Sequence, residues 1–138
     1  MDYRLSFDPA EQQLDVIHGF LTTSYWSPGI PRETVAKALA GSLTVCAFDG
    51  DAQIGMARIV TDHATMAYLA DVFVLESHRG QGVARAMIKA LYAHPELQGL
   101  RRWILFTRDM HGLYAKLGWE PTQYPERLML KDNPDAYS

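Results

Sequence analysis

Hydrophobic positions three and four residues apart dominate the start of the chain. They predict an amphipathic helix over residues 10–24. Two prolines and a glycine within residues 26–31 interrupt this helix. Pro31 suits the first position of a second helix, which we predict over residues 32–40, and Gly41 suits its end.

Residues 43–74 change to a β pattern, in which apolar runs rich in β-branched residues are separated by polar turns. This pattern predicts strands over residues 43–48, 53–60 and 66–74, with Asp49-Gly50-Asp51 as a hairpin turn. The other predicted elements are a helix that follows two glycines and ends near His94-Pro95, a strand at 103–106, a short helix at 110–117, a first strand at 3–7, and closing strands at Trp119 and 128–130. An antiparallel meander followed by a β-α-β crossover implies a mixed sheet with helices on both faces.

Composition narrows the class of protein. The chain has 138 residues, 48% of them hydrophobic, so we expect residues 1–138 to form a single domain with a real core. A net charge of −3 gives no reason to expect a nucleic-acid partner. Cys46 is the single cysteine, which excludes an internal disulfide and fits a cytoplasmic location. Because no signal-peptide pattern and no apolar run of about 18 residues is present, we expect no membrane partner.

The most informative stretch is the turn between the strand at 66–74 and the next helix. Gly80 and Gly82 leave backbone N–H groups approachable at a helix N-terminus, which suits a phosphate group. A mononucleotide P-loop is excluded because Val83 follows Gly82 where Lys is required. A dinucleotide fingerprint is excluded because Arg85 stands where a small residue is required.

Two motifs, taken together, identify a family. Arg79-Gly80-Gln81-Gly82-Val83-Ala84 matches the pattern Arg/Gln-x-x-Gly-x-Gly/Ala, and Leu113-Tyr114-Ala115-Lys116-Leu117-Gly118-Trp119 resembles Leu-Tyr-x-x-x-Gly-Phe. Either motif alone is as typical of a tight turn or a packed aromatic residue. Both, in this order and spacing, resemble the GNAT acetyltransferase superfamily over about residues 66–120.

The resemblance implies a fold and a co-substrate. The fold is a mixed, mainly antiparallel α/β sheet of six to seven strands, with about four helices and a splayed cleft between the fourth and fifth strands. Acetyl-CoA would lie in this cleft, with its pantetheine arm against the main chain of Phe73 and Val74. Its pyrophosphate would meet the N–H groups of Arg79, Gly80, Gln81, Gly82, Val83 and Ala84. Thr107 is a further coenzyme-binding position, although many members carry Asn there.

The resemblance also implies catalytic roles. Tyr114 matches the general acid for the departing thiolate. A β-bulge expected at residues 71–73 would aim an N–H at the thioester carbonyl. Asp71 is the first candidate for the general base, followed by Glu76, His111, Asp109 and His63. Because the histidines lack the spacing of metal ligands, we expect no metal.

The acceptor is less defined by the sequence. Tyr25 and Trp26 predict a stiff, semi-apolar rim for a small-molecule amine, although packing between helices explains them equally well. Arg32, Arg58 or Arg108 could receive a carboxylate. Acetylation of a protein N-terminus or lysine, and a non-catalytic acyl-CoA sensor, remain alternatives. A homodimer paired through residues 119–131 is a family-level expectation.

Overall fold

The computed structural model describes residues 2–138 and divides them into two compact units, one ending at Phe106 and one comprising residues 107–138. In chain order the elements are β1 (Arg4–Ser6), α1 (Leu14–Leu21), α2 (Arg32–Ala40), β2 (Leu43–Asp49), β3 (Ala52–Thr61), β4 (Met66–Val74), α3 (Val83–Ala93), β5 (Arg102–Leu105) and α4 (His111–Ala115). Short 3-10 turns occur at Pro9–Glu11, Glu76–His78, Pro95–Leu97 and Pro125–Arg127.

The larger unit is built on one sheet in the order β1-β2-β3-β4-β5. Strands β1 to β4 are antiparallel to their neighbours, and β5 is parallel to β4. The parallel pair is connected through α3, as a crossover connection requires. The predicted mixed, mainly antiparallel fold class is confirmed.

A polar turn connects β3 to β4. One Asp62 carboxylate oxygen accepts the N–H groups of Ala64, Thr65 and Met66, and the other accepts the Thr65 hydroxyl at 2.6 Å. These hydrogen bonds lower the pKa of Asp62, and the bond from the Thr65 hydroxyl contributes most. The ionised carboxylate therefore holds this turn together at neutral pH.

Helices cover both faces of the sheet. On one face Ile17 and Leu21 of α1 and Val35 and Leu39 of α2 form a core cluster with sheet residues that include Phe73. Side chains alternate between the two faces along a strand. Met56 of β3 belongs to the core cluster, so the preceding residue, Gly55, belongs to the opposite face. A Cβ at Gly55 would lie 3.4 Å from the Met87 side chain, which places α3 on that opposite face.

The same glycine allows β3 and β4 to approach closely. A Cβ at Gly55 would stand 2.9 Å from the carbonyl oxygen of Phe73, a distance that real Cβ atoms essentially never show. Glycine is therefore required opposite the last residues of β4, which form part of the candidate site.

The sheet is smaller than the predicted six to seven strands. Among residues 2–138 it has five strands, and the predicted closing strands at Trp119 and residues 128–130 are absent. The side chains of Leu128, Met129 and Leu130 are 52%, 89% and 59% exposed. A three-residue apolar run has β-like composition, but it forms a strand only where a partner supplies a hydrogen-bonding ladder, and prolines at 121 and 125 remove donors nearby.

Within the described residues, every helix is too short or too polar to cross a bilayer.

Candidate active site

The candidate site begins where β4 and β5 part. Their parallel pairing runs from Met66 opposite Arg102 to Leu69 opposite Leu105, where β5 ends. Strand β4 continues to Val74 without pairing with β5. This leaves a strand edge to which an extended amide-bearing ligand could add hydrogen bonds, as an additional strand would. The pairing ends where the resemblance predicts a cleft between the fourth and fifth strands.

A bulge lies on this free part of β4. Ala70 is opposite Arg58 and Phe73 is opposite Met56. Two residues of β4, Asp71 and Val72, therefore face one residue of β3, Ala57. Asp71 has φ 54°, in the left-handed region. In a bulge of this type the first residue is usually glycine, because only glycine adopts that conformation without cost. The bulge is where the resemblance predicts it.

The glycine turn follows β4 after Leu75 and the 3-10 turn at Glu76–His78. Gly80 and Gly82 both have φ 79°, and a Cβ at either position would point into open space. The glycines are thus required by the backbone conformation and leave the main chain approachable from outside. Gly82 is the N-cap of α3 and supplies no side-chain cap, so the first N–H groups of α3 have no side-chain acceptor from this residue.

Two contacts hold the turn and the strand end in place. The Arg79 guanidinium donates from Nε to the carbonyl oxygen of Val74 at 3.0 Å, which ties the turn back to β4. Phe73 is buried and stacks on Phe20 of α1 with ring centroids 4.2 Å apart. Val83 is buried under the first turn of α3, whereas residues 79–82 are exposed. The main-chain groups expected to meet a coenzyme therefore belong to a well-anchored segment.

Asp71 is the centre of a polar network on the α1–α2 face of the sheet. Its Oδ1 accepts the indole N–H of Trp26 at 2.8 Å, and its Oδ2 accepts Nε of Arg58 at 2.8 Å. The side chains of Arg58 and Asp71 are only 16% and 12% exposed. The pKa of Tyr68 is raised chiefly by burial of its phenol and secondly by the negative charge of Asp71.

The network continues to the end of α2. Arg58 donates from Nη1 to the hydroxyl of Ser42 at 3.0 Å, and that hydroxyl donates to the carbonyl of Ala38 at 2.6 Å. The sequence gives no signal of this network, since Trp26 and Asp71 lie 45 positions apart and nothing in their spacing pairs them.

The predicted rim residues lie on the loop between α1 and α2. Tyr25 and Trp26 are 47% and 40% exposed, and their rings meet edge to face at 5.1 Å. The loop is held by Ser24 and Ser27, whose buried hydroxyls lie 3.0 Å apart and both donate to the carbonyl of Leu21. This rim is exposed but held in place at its base.

The arginines proposed for a carboxylate each face an acid of the chain. Arg32 lies 2.7 Å from Asp15, Arg58 is paired with Asp71, and Arg108 is 3.9 Å from Asp109. Of these three pairs, only the Arg58 pair is largely shielded from solvent, so only there does the environment strengthen the electrostatic interaction.

The smaller unit contains Tyr114 and Thr107. Tyr114 is buried within α4 and meets the Trp119 ring edge to face at 6.1 Å, while its carbonyl accepts the N–H of Trp119 at 3.1 Å. The Thr107 hydroxyl accepts the N–H of Met110 at 3.0 Å, just before α4 begins. The second motif thus forms a short helix and a following turn, in which Trp119 folds back against Tyr114.

The remaining base candidates are surface residues. Glu76 is exposed in the turn after β4, His63 is 3.4 Å from Glu96, and Asp109 and His111 are exposed at the start of the smaller unit. His78, beside the glycine turn, bonds to Asp49 at 2.9 Å and to Ser77 at 2.7 Å. It thereby links the turn to the β2–β3 hairpin, a contact that the sequence does not predict.

Across residues 2–138, no three His, Cys, Asp or Glu side chains lie close enough together to hold a metal ion.

Comparison with known proteins assigns the chain. The model of the acetyltransferase (GNAT) domain matches residues 40–121. A Gibberella zeae protein named "putative acetyltransferase" is 32% identical, over 83% of this chain and 77% of its own length. The crystal structure of a GNAT-family protein from Xanthomonas campestris is 42% identical and superposes with a TM-score of 0.96, covering 100% of this chain and 98% of the other. A Clostridium acetobutylicum protein described as a "predicted acetyltransferase" and solved with acetyl-CoA shares the fold at 17% identity and a TM-score of 0.67, over 96% of this chain and 95% of its own. The chain belongs to the GNAT acetyltransferase family.

Proposed function

We propose that the protein transfers an acetyl group from acetyl-CoA to a primary amine of a small molecule. The observation that carries this proposal is the free edge of β4 beyond Leu69, which is followed, after one short 3-10 turn, by the turn at Gly80 and Gly82. A strand edge and an approachable helix N-terminus in sequence fit a ligand with an amide-bearing arm and a pyrophosphate. The Clostridium relative that was solved with acetyl-CoA supports this assignment of the donor.

On the donor side, the main chain is assigned most of the binding. The N–H groups of residues 79–84 would bind the pyrophosphate, and the backbone of Phe73 and Val74 would pair with the pantetheine amides. Thr107 is retained as a coenzyme-binding position, and its hydroxyl accepts the N–H of Met110.

The chemistry follows from these assignments. When bound, acetyl-CoA supplies a thioester as the acetyl donor. The neutral amine attacks the carbonyl carbon, a C–N bond forms, and the C–S bond breaks. A backbone N–H from residues 71–73 donates to the carbonyl oxygen while negative charge develops there. Tyr114 donates a proton to the departing sulfur.

Proton removal from the amine is assigned to water. The sequence favours Asp71 for this task, but both of its oxygens already accept hydrogen bonds from Trp26 and Arg58. Because both oxygens are engaged at 2.8 Å, we leave proton removal to water rather than to Asp71.

The acceptor side is assigned to the rim at Tyr25 and Trp26. Two exposed aromatic rings fit the aliphatic or ring portion of a small amine better than a flat, charged protein surface.

We also infer a cytoplasmic location, which is consistent with the single cysteine of the sequence. We further infer that two chains pair through residues 119–131.

Turnover on a panel of amines tests the proposal. Purified protein is incubated with acetyl-CoA and small primary amines, α-amino acids, a lysine peptide or a peptide with a free N-terminus, and release of free thiol is followed. Release above background with a small amine, together with its acetylated product, is the expected result. Release only with the peptides would favour a protein acetyltransferase. Tight acetyl-CoA binding without release on any acceptor would favour a sensor.

A further inference from the structure

We propose that Asp71 is a positioning residue that holds the β4 bulge and the acceptor rim in one arrangement. It does so by accepting Trp26 of the α1–α2 loop and Arg58 of β3 at the same time. This inference rests on the proposed function, because the bulge matters only if its N–H faces a thioester. It assigns to Asp71 a role other than proton removal.

The backbone at Asp71 gives the first argument. A φ of 54° in the middle of a strand is unfavourable for any residue except glycine and, to a lesser extent, Asn and Asp. Such a conformation persists only where surrounding contacts over-determine it. At Asp71 those contacts are the two side-chain bonds of 2.8 Å.

The burial of the pair gives the second argument. Arg58 and Asp71 are 16% and 12% exposed, so the ion pair is shielded from the solvent that weakens most surface pairs. Arg58 is itself fixed by the Ser42 hydroxyl, which is bound to the end of α2. The Arg58 guanidinium that donates to the Asp71 carboxylate is therefore fixed in position.

The Trp26 bond gives the third argument. Trp26 is 40% exposed on the rim, yet its indole N–H reaches the carboxylate of Asp71 on the sheet. An exposed aromatic residue on a loop is free to change rotamer unless something holds it. Asp71 thus ties the position of the acceptor rim to the geometry of the bulge, and movement of one would disturb the other.

Coenzyme binding measures this role without an identified acceptor. The quantity is the ratio of the dissociation constants of CoA and acetyl-CoA, which reports a hydrogen bond to the acetyl carbonyl. In the wild type we expect acetyl-CoA to bind about fivefold more tightly, the equivalent of one ordinary hydrogen bond. Asp71→Ala should bring the ratio to about one, since the bulge loses both anchors.

Two further variants separate positioning from general-base catalysis. Asn tolerates the left-handed conformation and keeps an acceptor oxygen, so Asp71→Asn should retain a ratio within about twofold of the wild type. With an amine that the protein accepts, Asp71→Asn should also retain most of the turnover and the acidic limb of the pH profile, which a base variant would lose. Trp26→Phe removes one anchor at the surface and should lower the ratio about twofold, which provides a test even if Asp71→Ala does not fold.

The control is Asp15→Ala, which breaks the exposed Arg32–Asp15 pair elsewhere on the same face and should leave the ratio unchanged. Equal loss of turnover in Asp71→Asn and Asp71→Ala, with a displaced acidic limb, would overturn the inference in favour of a base. A wild-type ratio near one, or an unchanged ratio in Asp71→Ala and Trp26→Phe, would also overturn it. Absence of acetyl-CoA binding in the wild type would instead contradict the proposed function itself.

Discussion

Individual side chains carry the chemistry that the fold makes available, and Tyr114 is the one assigned to the reacting sulfur. Tyr114→Phe keeps the buried ring and its packing against Trp119 but removes the hydroxyl. We expect turnover to fall between about tenfold and a thousandfold, with little change in acetyl-CoA affinity, because the role proposed for the hydroxyl begins only as the C–S bond breaks. Steady-state rates and a coenzyme titration on the same preparation check this. Trp119→Phe is the packing control, and unchanged turnover in Tyr114→Phe would remove Tyr114 from the mechanism.

Cys46 shows the opposite case, a reactive side chain that the fold makes inert. It is 2% exposed, and burial raises the pKa of its thiol to about 12. Because the folded pKa lies above the unfolded one, the stabilising contribution is complete below about pH 9 and is lost as the pH rises toward 12. The free energy of unfolding should therefore decrease with pH in this range more steeply in the wild type than in Cys46→Ala. Equal slopes, or rapid modification of the folded protein by a thiol reagent at pH 8, would contradict this.

Secondary-structure elements meet most closely where β3 passes β4. A Cβ at Gly55 would stand 2.9 Å from the backbone oxygen of Phe73, and backbone cannot move aside as a flexible side chain can. We expect Gly55→Ala to destabilise the protein by about 1–3 kcal/mol. Gly19→Ala is the matched control, since the exposed Gly19 lies in α1 with nothing within 4 Å, and it should stabilise by about 0.5–1 kcal/mol. Denaturant unfolding of both variants checks this, and Gly55→Ala as stable as the wild type would refute the close-approach argument.

Local patterns predicted the individual elements well where the signal was itself local. Strand β4 has the boundaries that its apolar run predicts, and helix α2 has those that Pro31 and Gly41 predict. Helix α1 is shorter than residues 10–24 because residues 9–11 form a 3-10 turn and residues 12 and 13 are extended. The closing strands failed for a different reason, since strand formation at residues 128–130 depends on a partner that local composition cannot supply.

At the scale of the whole molecule, the glycine turn and the bulge could be predicted from the sequence, whereas the polar network around Asp71 could not. The glycine turn and the bulge follow from a contiguous motif, and both lie where the resemblance places them. The sequence makes Asp71 the first candidate for a general base, whereas its bonds to Trp26 and Arg58 arise only when distant segments fold together. Contacts of this range leave no periodicity in a single sequence.

The central claim, that the glycine turn binds acetyl-CoA, is tested most directly by calorimetric titration of acetyl-CoA into the wild type, Gly82→Val and Gly99→Val. Gly82 and Gly99 have φ of 79° and 72°, and both have open space around them, so the two substitutions impose comparable backbone strain. We predict one saturable site in the wild type, affinity weakened about tenfold or more in Gly82→Val, and near wild-type affinity in Gly99→Val. No binding by the wild type, or equal affinities in all three proteins, would contradict the account.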